Sequence, residues 1–335
     1  MPLTPSRRTV AFPFLLVLTL LAGLTLPAVA QSGAYPDRPV TVVVPFSAGG
    51  DADLAARNLG AAVQKLINQT LVPQNKAGAS GAIGSLAVRH AKPDGYTLLL
   101  ARVGSQVVLP ALQNPAAYKY NDFSFLGLLE LNPVVCGVRH DSTQRTMKDL
   151  VDALRSRPGK LNYSTSGAAT LLNFAPQLLF DQLGLGKDAA LAITYKGGGE
   201  AVMALLAGEV DFSCGNLTSM IGHLQAGKLR ALMVTTPERV KDLPDVPTAR
   251  ETGYPQMEAI IGWSALYGPP GLPKEVVDRW SAALTQVAKD PAWITATEKA
   301  GSIPRVLGPA ATEHYAAEQF QVYQRLGSKL QIELK

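Results

Sequence analysis

Two short stretches hold the residue types that could do chemistry. The first is PFSAGGDADLAARN, Pro45 to Asn58, a glycine pair between a β-branched run and a helical pattern. The second is NYSTSGAAT, Asn162 to Thr170, where hydroxyls and a glycine follow another strand-like run. Turns of this kind cradle phosphates, lift a nucleophilic serine, or expose backbone N–H groups at a helix N-terminus.

The first two uses fail on spacing. A phosphate loop needs Lys and then Ser or Thr after its second glycine, whereas Asp51 and Asp53 stand here and would repel a polyphosphate. GASGAIG, Gly78 to Gly84, spaces its glycines by three and not as G-x-G-x-x-G, so no dinucleotide site is expected. A nucleophile elbow reads G-x-S-x-G, and the residues around Ser164 and Ser166 do not. Helix capping explains these hydroxyls more simply, although Ser166 is the serine on which a rival reading, a carboxylic ester hydrolase, would rest. YKGGGE, Tyr195 to Glu200, reads as a tight strand-to-helix turn and not as the seat of a catalytic lysine. Neither metal nor cofactor is expected, because two distant cysteines and His90, His140, His223 and His314 lack ligand spacing. Anion binding remains. If the two turns belong to different lobes, two helix N-termini face each other across a cleft and favour a small carboxylate without chemistry.

The elements that must position these turns alternate along the chain. Strands are predicted at Val40 to Val44, Thr70 to Val72, Thr97 to Leu100, Val134 to Val138, Leu161 to Ser164, Ala192 to Tyr195, Val210 to Ser213 and Ala231 to Thr235. Helices are predicted between them, with a helical tail from Lys274 onward. This pattern implies α/β architecture with largely parallel sheets. In the first helix Leu54, Leu59, Ala62, Val63, Leu66 and Ile67 make an apolar stripe, and Asp53 stands where an N-cap belongs.

The chain begins with Arg7 and Arg8, an apolar run from Phe12 to Leu26, and Ala28-Val29-Ala30. This is the pattern of a secretory signal peptide cleaved after Ala30, the run being shorter than the about 20 residues of a membrane anchor. Ser6 to Thr9 carries a twin-arginine pair but is followed by Val10-Ala11, so general secretion to a periplasm is expected. Removing residues 1–30 takes away two arginines and no acid, leaving 29 basic against 26 acidic residues. That balance is too mild to imply nucleic acid or a membrane surface. About 300 remaining residues exceed what one core usually organises, so two lobes are expected. Cys136 and Cys214 end strand-like runs and are expected to be buried and unbridged, packing as small apolar residues.

In order, YPDRPVTVVVPFSAGGDAD, NKAGASGAIG, PDGYTLL, PGKLNYSTSG, YKGGGEAVMALLAGEVD, GKLRALMVT and LPDVPTARETG run from Tyr35 toward Pro269-Pro270. Together they resemble the periplasmic solute receptors of tripartite tricarboxylate transporters, the TctC or Bug family. The resemblance implies a two-lobed periplasmic binding protein of type 2-like architecture, each lobe a sheet flanked by helices. Its cleft would close on a small organic anion, delivered to membrane permease subunits or signalled to a sensor kinase. It implies ligand contacts from Phe46, Ser47, Gly49, Gly50 and Asp53 on one side and Thr165, Ser166, Gly167 and Thr170 on the other. Lobe 1 is expected to comprise residues 31–132 and 263–335, and lobe 2 residues 133–262. A monomer is expected.

Departures from the family pattern bear on specificity. Ser47-Ala48 replaces prolines, Asp51 stands near the helix start, and Gly215 occupies a position where an acid is frequent. Arg102, with Ser105 just beyond it, follows the strand ending in Ala101. Arg102 has several open roles: neutralising Asp51, clamping a ligand carboxylate, or lying exposed. The carboxylate grip is preferred, because a long planar donor beyond a strand's carboxyl end can reach into the cleft. Asp51 could instead receive a ligand ammonium.

Overall fold

A run buried on both faces joins the two halves of the molecule. In the computed structural model, residues 35–332 are described, together with Met1, Thr4 and Leu334. The signal peptide and its cleavage point therefore lie outside the described residues.

The first half is a parallel βαβ arrangement. β1 (Val40–Val44) leads into α1 (Asp51–Ile67) and β2 (Leu71–Asn75), and α2 (Ala82–Arg89) leads into β3 (Thr97–Arg102). β1 pairs in parallel with both β2 and β3. A π-helical turn at Gly104–Val108 and α3 (Leu109–Leu112) follow β3.

β4 (Ser124–Arg139) then crosses between halves, and α4 (Met147–Ser156) follows it. The second half repeats the plan with β5 (Leu161–Thr165), α5 (Leu171–Gln182), β6 (Ala190–Thr194), α6 (Gly198–Ala207), β7 (Phe212–Asn216), α7 (Leu217–Gln225) and β8 (Leu229–Val234). Its β5 is parallel to β6 and β7. The chain returns through β9 (Ile261–Gly268), and α8 (Lys274–Val287), α9 (Pro291–Lys299), β10 (Ile303–Leu307) and α10 (Pro309–Lys329) complete it.

The sheets are mixed, which corrects the expectation of largely parallel ones. β9 runs antiparallel to β3 and to the first part of β4, with Pro133 opposite Ile261. From Val134 onward β4 is instead antiparallel to β7 and β8. The sequence of β4, SFLGLLELNPVVCGVR, is almost wholly buried, so it lacks the polar alternation that marks a half-exposed strand. Its last part holds the strand predicted at Val134 to Val138, while its first part and the whole of β9 lie outside the predicted strands for this reason. The register also corrects the cysteine expectation: Cys136 of β4 and Cys214 of β7 are Cα partners and form a disulfide. Both are buried, as expected.

Candidate functional site

The first turn is built by α1 and its approach. Gly50, not Asp53, is the N-cap, with extended backbone, and the helix begins at Asp51. Asp53 lies inside the first turn, where its Oδ2 accepts from the Gly49 N–H at 3.1 Å and from Arg57 Nε at 2.9 Å. Burial alone would raise its carboxyl, but bonds from Arg57, the Gly49 amide and Asn75 outweigh burial and hold it below the ordinary value.

Asp51 points inward and is 6% exposed. Its Oδ2 accepts from Arg102 Nη2 and, at 2.7 Å, from Asn216 Nδ2. Arg102, 3% exposed, gives its other terminal nitrogen, Nη1, to Ser264 Oγ. Arg102 is therefore neither exposed nor free to swing toward a ligand. The geometry favours neutralisation of Asp51 over the carboxylate grip preferred from sequence.

Behind this pair runs a buried chain of hydrogen bonds. Ser264 Oγ donates to Glu130 Oε1 at 2.8 Å, and Asn132 Nδ2 donates to Glu130 at 3.0 Å and to Ser302 Oγ at 2.9 Å. Ser302 and Thr218 hydroxyls meet at 2.9 Å. Burial raises the Glu130 carboxyl above its ordinary value, and bonds from Asn132 and Ser264 with the Arg102 charge offset only part of that. The chain joins crossing strands β4 and β9 to Arg102 at the end of β3.

The second turn leaves a helix end open. Gly167 O accepts from Thr165 Oγ1 at 3.1 Å and from Thr170 Oγ1 at 2.8 Å. Thr170 is the N-cap of α5, yet its side chain makes no cap bond. The first-turn N–H groups at Leu171 and Leu172, which have no acceptor within a helix, are thus uncapped. They favour an anion.

The two halves touch at several points. Ser47 N–H donates to Lys196 O at 3.3 Å, and Asp51 N–H to Ser219 Oγ at 3.3 Å. Ala169 N–H donates to Ser80 Oγ at 3.4 Å. The N-terminus of α1 meets that of α6, where a Cβ on Gly50 would lie 3.1 Å from the Gly199 nitrogen. This contact explains the three consecutive glycines in YKGGGE: the backbones approach where side chains would stand.

Two cavities lie between the halves. The inner one, ≈ 30 Å³, is lined by Phe46, Asp51, Arg102, Ser166, Thr170 and Asn216 among others. The outer one, ≈ 480 Å³, is lined by Phe46, Gly78 to Gly81, Ser166, Gly167, Lys196 and Glu200 among others. Phe46 and Ser166 border both. A larger cavity of ≈ 790 Å³ lies between α4 and β8, away from this convergence of buried polar groups.

Of the sequence candidates, Phe46, Asp51, Arg102, Ser166 and Thr170 line the inner cavity and Gly167 the outer. Ser47 and Gly50 shape the contact between halves. Gly49, Asp53, Ser105 and Thr165 line neither cavity and support the turns; Ser105 Oγ, for example, donates to Arg102 O at 3.3 Å. Sequence reading missed Asn216, Ser264, Glu130, Ser80 and the glycines of α6. Only the glycine run and GASGAIG carried a local signal. In the latter, Ala79 and Ser80 adopt positive φ of 48° and 53° between Gly78 and Gly81, a backbone costing roughly 1–3 kcal/mol per residue and typical of functional turns.

Residues 55–331 match the family model described as Tripartite tricarboxylate transporter family receptor. Among solved structures, the periplasmic binding protein BugD is 32% identical, covering 90% of this chain and 100% of its own, with a TM-score of 0.85. MatC from Rhodopseudomonas palustris with bound malate is 28% identical over 87% of this chain and 99% of its own, with a TM-score of 0.82. A protein of R. palustris with adipate is 26% identical over 89% of this chain and 99% of its own, with a TM-score of 0.84.

Proposed function

This chain belongs to the tripartite tricarboxylate transporter receptor family, and from that premise we propose that it captures a small organic carboxylate in the cleft and delivers it to membrane permease subunits. The observation that carries this reading is the convergence of α1 and the uncapped N-terminus of α5 on adjoining cavities between the halves. Relatives with bound malate and adipate support a carboxylate as the ligand class.

The lobes are taken as residues 31–132 with 263–335, and 133–262. In support, β4 changes partners between Pro133 and Val134, and the return strand β9 begins at Ile261. Two crossings suit a hinge, and ligand contacts from both lobes would hold the closed state. Relatives are periplasmic binding proteins, and the arginine-led apolar leader ending in Ala28-Val29-Ala30 fits export with cleavage after Ala30. The receptor acts as a monomer, and a sensor kinase is the alternative partner for its closed form.

The reading is non-enzymatic. Ser166 borders both cavities, and among the described residues no histidine lines either to serve as its base. Native mass spectrometry of the exported protein would identify a co-purified ligand, followed by calorimetry with that compound. Saturable binding with the ligand recovered unchanged is the expected result; its hydrolysis would replace the receptor with an esterase. N-terminal sequencing of the same sample is expected to start at Gln31.

A further inference from the structure

Resting on the receptor reading, we propose that the groove along the outer edge of β8 is the surface on which the membrane permease docks. It takes an extended, acidic segment of the permease, which adds to β8 as a further strand.

The first observation is an open strand edge. Lys228 O accepts from the His140 N–H at 3.0 Å, and the register of β8 against β4 continues without a shift through Leu229, Arg230 and Ala231. Residues 228 and 230 therefore turn their backbone groups toward β4, and Leu229 and Ala231 turn theirs away. Among the described residues, those outward N–H and C=O groups make no bond to another part of the chain. The other end of the same edge is filled. Val234 N–H donates to Pro247 O at 3.0 Å, and Val234 O accepts from the Ala249 N–H at 2.7 Å. Leu243 to Val246, just before this pairing, form a turn in which the Val246 N–H donates to Leu243 O at 3.1 Å. One strand position beside β8 is thus taken at one end by the chain itself and open at the other.

The second observation is the cavity of ≈ 790 Å³ that lies against this edge. Leu229, Arg230, Ala231 and Leu232 all line it. Consecutive strand side chains point to opposite faces, so a cavity that touches four in a row runs along the edge. Its apolar floor comes from both sides of the sheet: Met147 and Val151 belong to one core cluster, and Leu224, Leu243 and Val246 pack on the other. Such a floor receives the alternate side chains of an added strand, while the open edge supplies the main-chain bonds. The cavity shares no lining residue with the two cavities between the halves, so an occupant leaves the cleft free to release its solute.

The third observation is charge, which sets the chemistry of the occupant. Arg145, Lys148, Arg155 and Arg230 stand around the cavity against Asp152 and Asp245. Lys148 and Asp152 pair with each other at 2.5 Å, whereas Arg145 and Arg155 make no ion pair among the described residues. Four basic side chains against two acidic ones suit a segment that carries acids beside its apolar residues. A second copy pairing through the same edge would set these arginines against themselves, because a two-fold interface uses one patch twice. Self-association is therefore disfavoured, and the receptor reading supplies the permease as the protein that must meet the loaded form.

The test uses the full exported protein, loaded with its co-purified carboxylate, and the permease subunits reconstituted in nanodiscs. Permease binding is read by interferometry, and the carboxylate affinity of each variant by calorimetry. Ala231→Pro removes an outward N–H while leaving the ladder with β4 intact, and it is expected to weaken permease binding about tenfold or more. Arg145→Glu combined with Arg155→Glu reverses two exposed charges; it is expected to have an effect of similar size and to remove most of the salt dependence of binding. Both variants are expected to hold the carboxylate as wild type does, which reports an intact fold and cleft. If Ala231→Pro fails to fold, the charge-reversed variant decides. Among synthetic peptides covering the periplasmic loops of the permease, an acidic one is expected to compete for wild-type protein and not for the charge-reversed variant. Permease binding unchanged in the folded variants overturns the proposal and leaves the receptor reading standing, as does a loaded wild-type protein that binds no permease. If wild-type protein binds no carboxylate, the receptor reading falls and the proposal with it.

Discussion

Ser80 of the first half packs directly onto Gly167 of the second, so that any Cβ at Gly167 would overlap the Ser80 side chain. Gly167 also has φ of 127°, a conformation that L residues rarely adopt. The contact joins two turns that lie 87 residues apart in sequence, and it forms only where the halves meet.

Gly167→Ala is therefore expected to penalise closure and weaken ligand binding by about tenfold or more. Ser80→Gly in the same background removes the overlap and relaxes a positive-φ position, so it is expected to restore part of the loss. Calorimetry with the identified ligand measures both. Unaltered affinity in the single variant would show that this contact plays no part in the bound state.

The Arg102–Asp51 pair joins the end of β3 to the start of α1 and is buried. Removing one partner leaves an uncompensated charge, so Arg102→Met is expected to cost about 3–5 kcal/mol of unfolding free energy. Combining it with Asp51→Asn removes both charges and is expected to recover most of that. Urea unfolding of ligand-free protein reads the cycle; additive losses would mean that the two side chains do not depend on each other.

Cys136 and Cys214 close a loop of sequence separation 78. Thiol counting in denaturant is expected to find none before reduction and two after it. Replacing both with alanine is expected to destabilise the protein by about 2–4 kcal/mol, chiefly by freeing the unfolded chain. Two reactive thiols in exported, unreduced protein would restore the expectation from sequence.

Glu130 binds its proton more tightly in the folded protein, because burial raises its carboxyl. The stability this supplies is present at low pH and lost as pH rises from the ordinary carboxylate range toward the folded pKa. Arg102 and Asp51 are the charged groups that act on it. Glu130→Gln removes the slope, so the variant is expected to gain stability relative to wild type as pH rises above the ordinary carboxylate range. Asp53 works in the opposite sense: its lowered carboxyl supplies stability above the ordinary range that is lost on acidification. The acid limb should therefore survive in the variant. Parallel urea midpoints for the two proteins across this range would show that Glu130 does not titrate there.

Much of the fold was legible because local rules governed it. β1 was predicted to the residue, since a β-branched run is a property of neighbours in sequence. The two hydroxyl- and glycine-rich turns were recognisable for the same reason: their backbone conformations demand particular residue types. The crossing strands were only partly legible: Val134 to Val138 of β4 was predicted, but burial on both faces erases the period-two signal in the rest of β4 and in β9. β9 could be recognised only through the register that it shares with β3 and β4.

The site divides along the same line. Residue types near the turns determined that a small anion could be held at helix N-termini, and that Asp51 would need compensation. Whether Arg102 reached Asp51 or a ligand depended on side-chain direction from the end of β3, which no spacing encodes. Asn216, Ser264 and Glu130 entered the site from β7, β9 and β4, strands that lie far apart along the chain. Cys136 and Cys214 met for the same reason, through the antiparallel register of β4 and β7. Composition and periodicity act over a few residues, so they determined the elements and their turns; partner choice among buried polar groups is set by packing across the whole fold, and only the tertiary structure decided it.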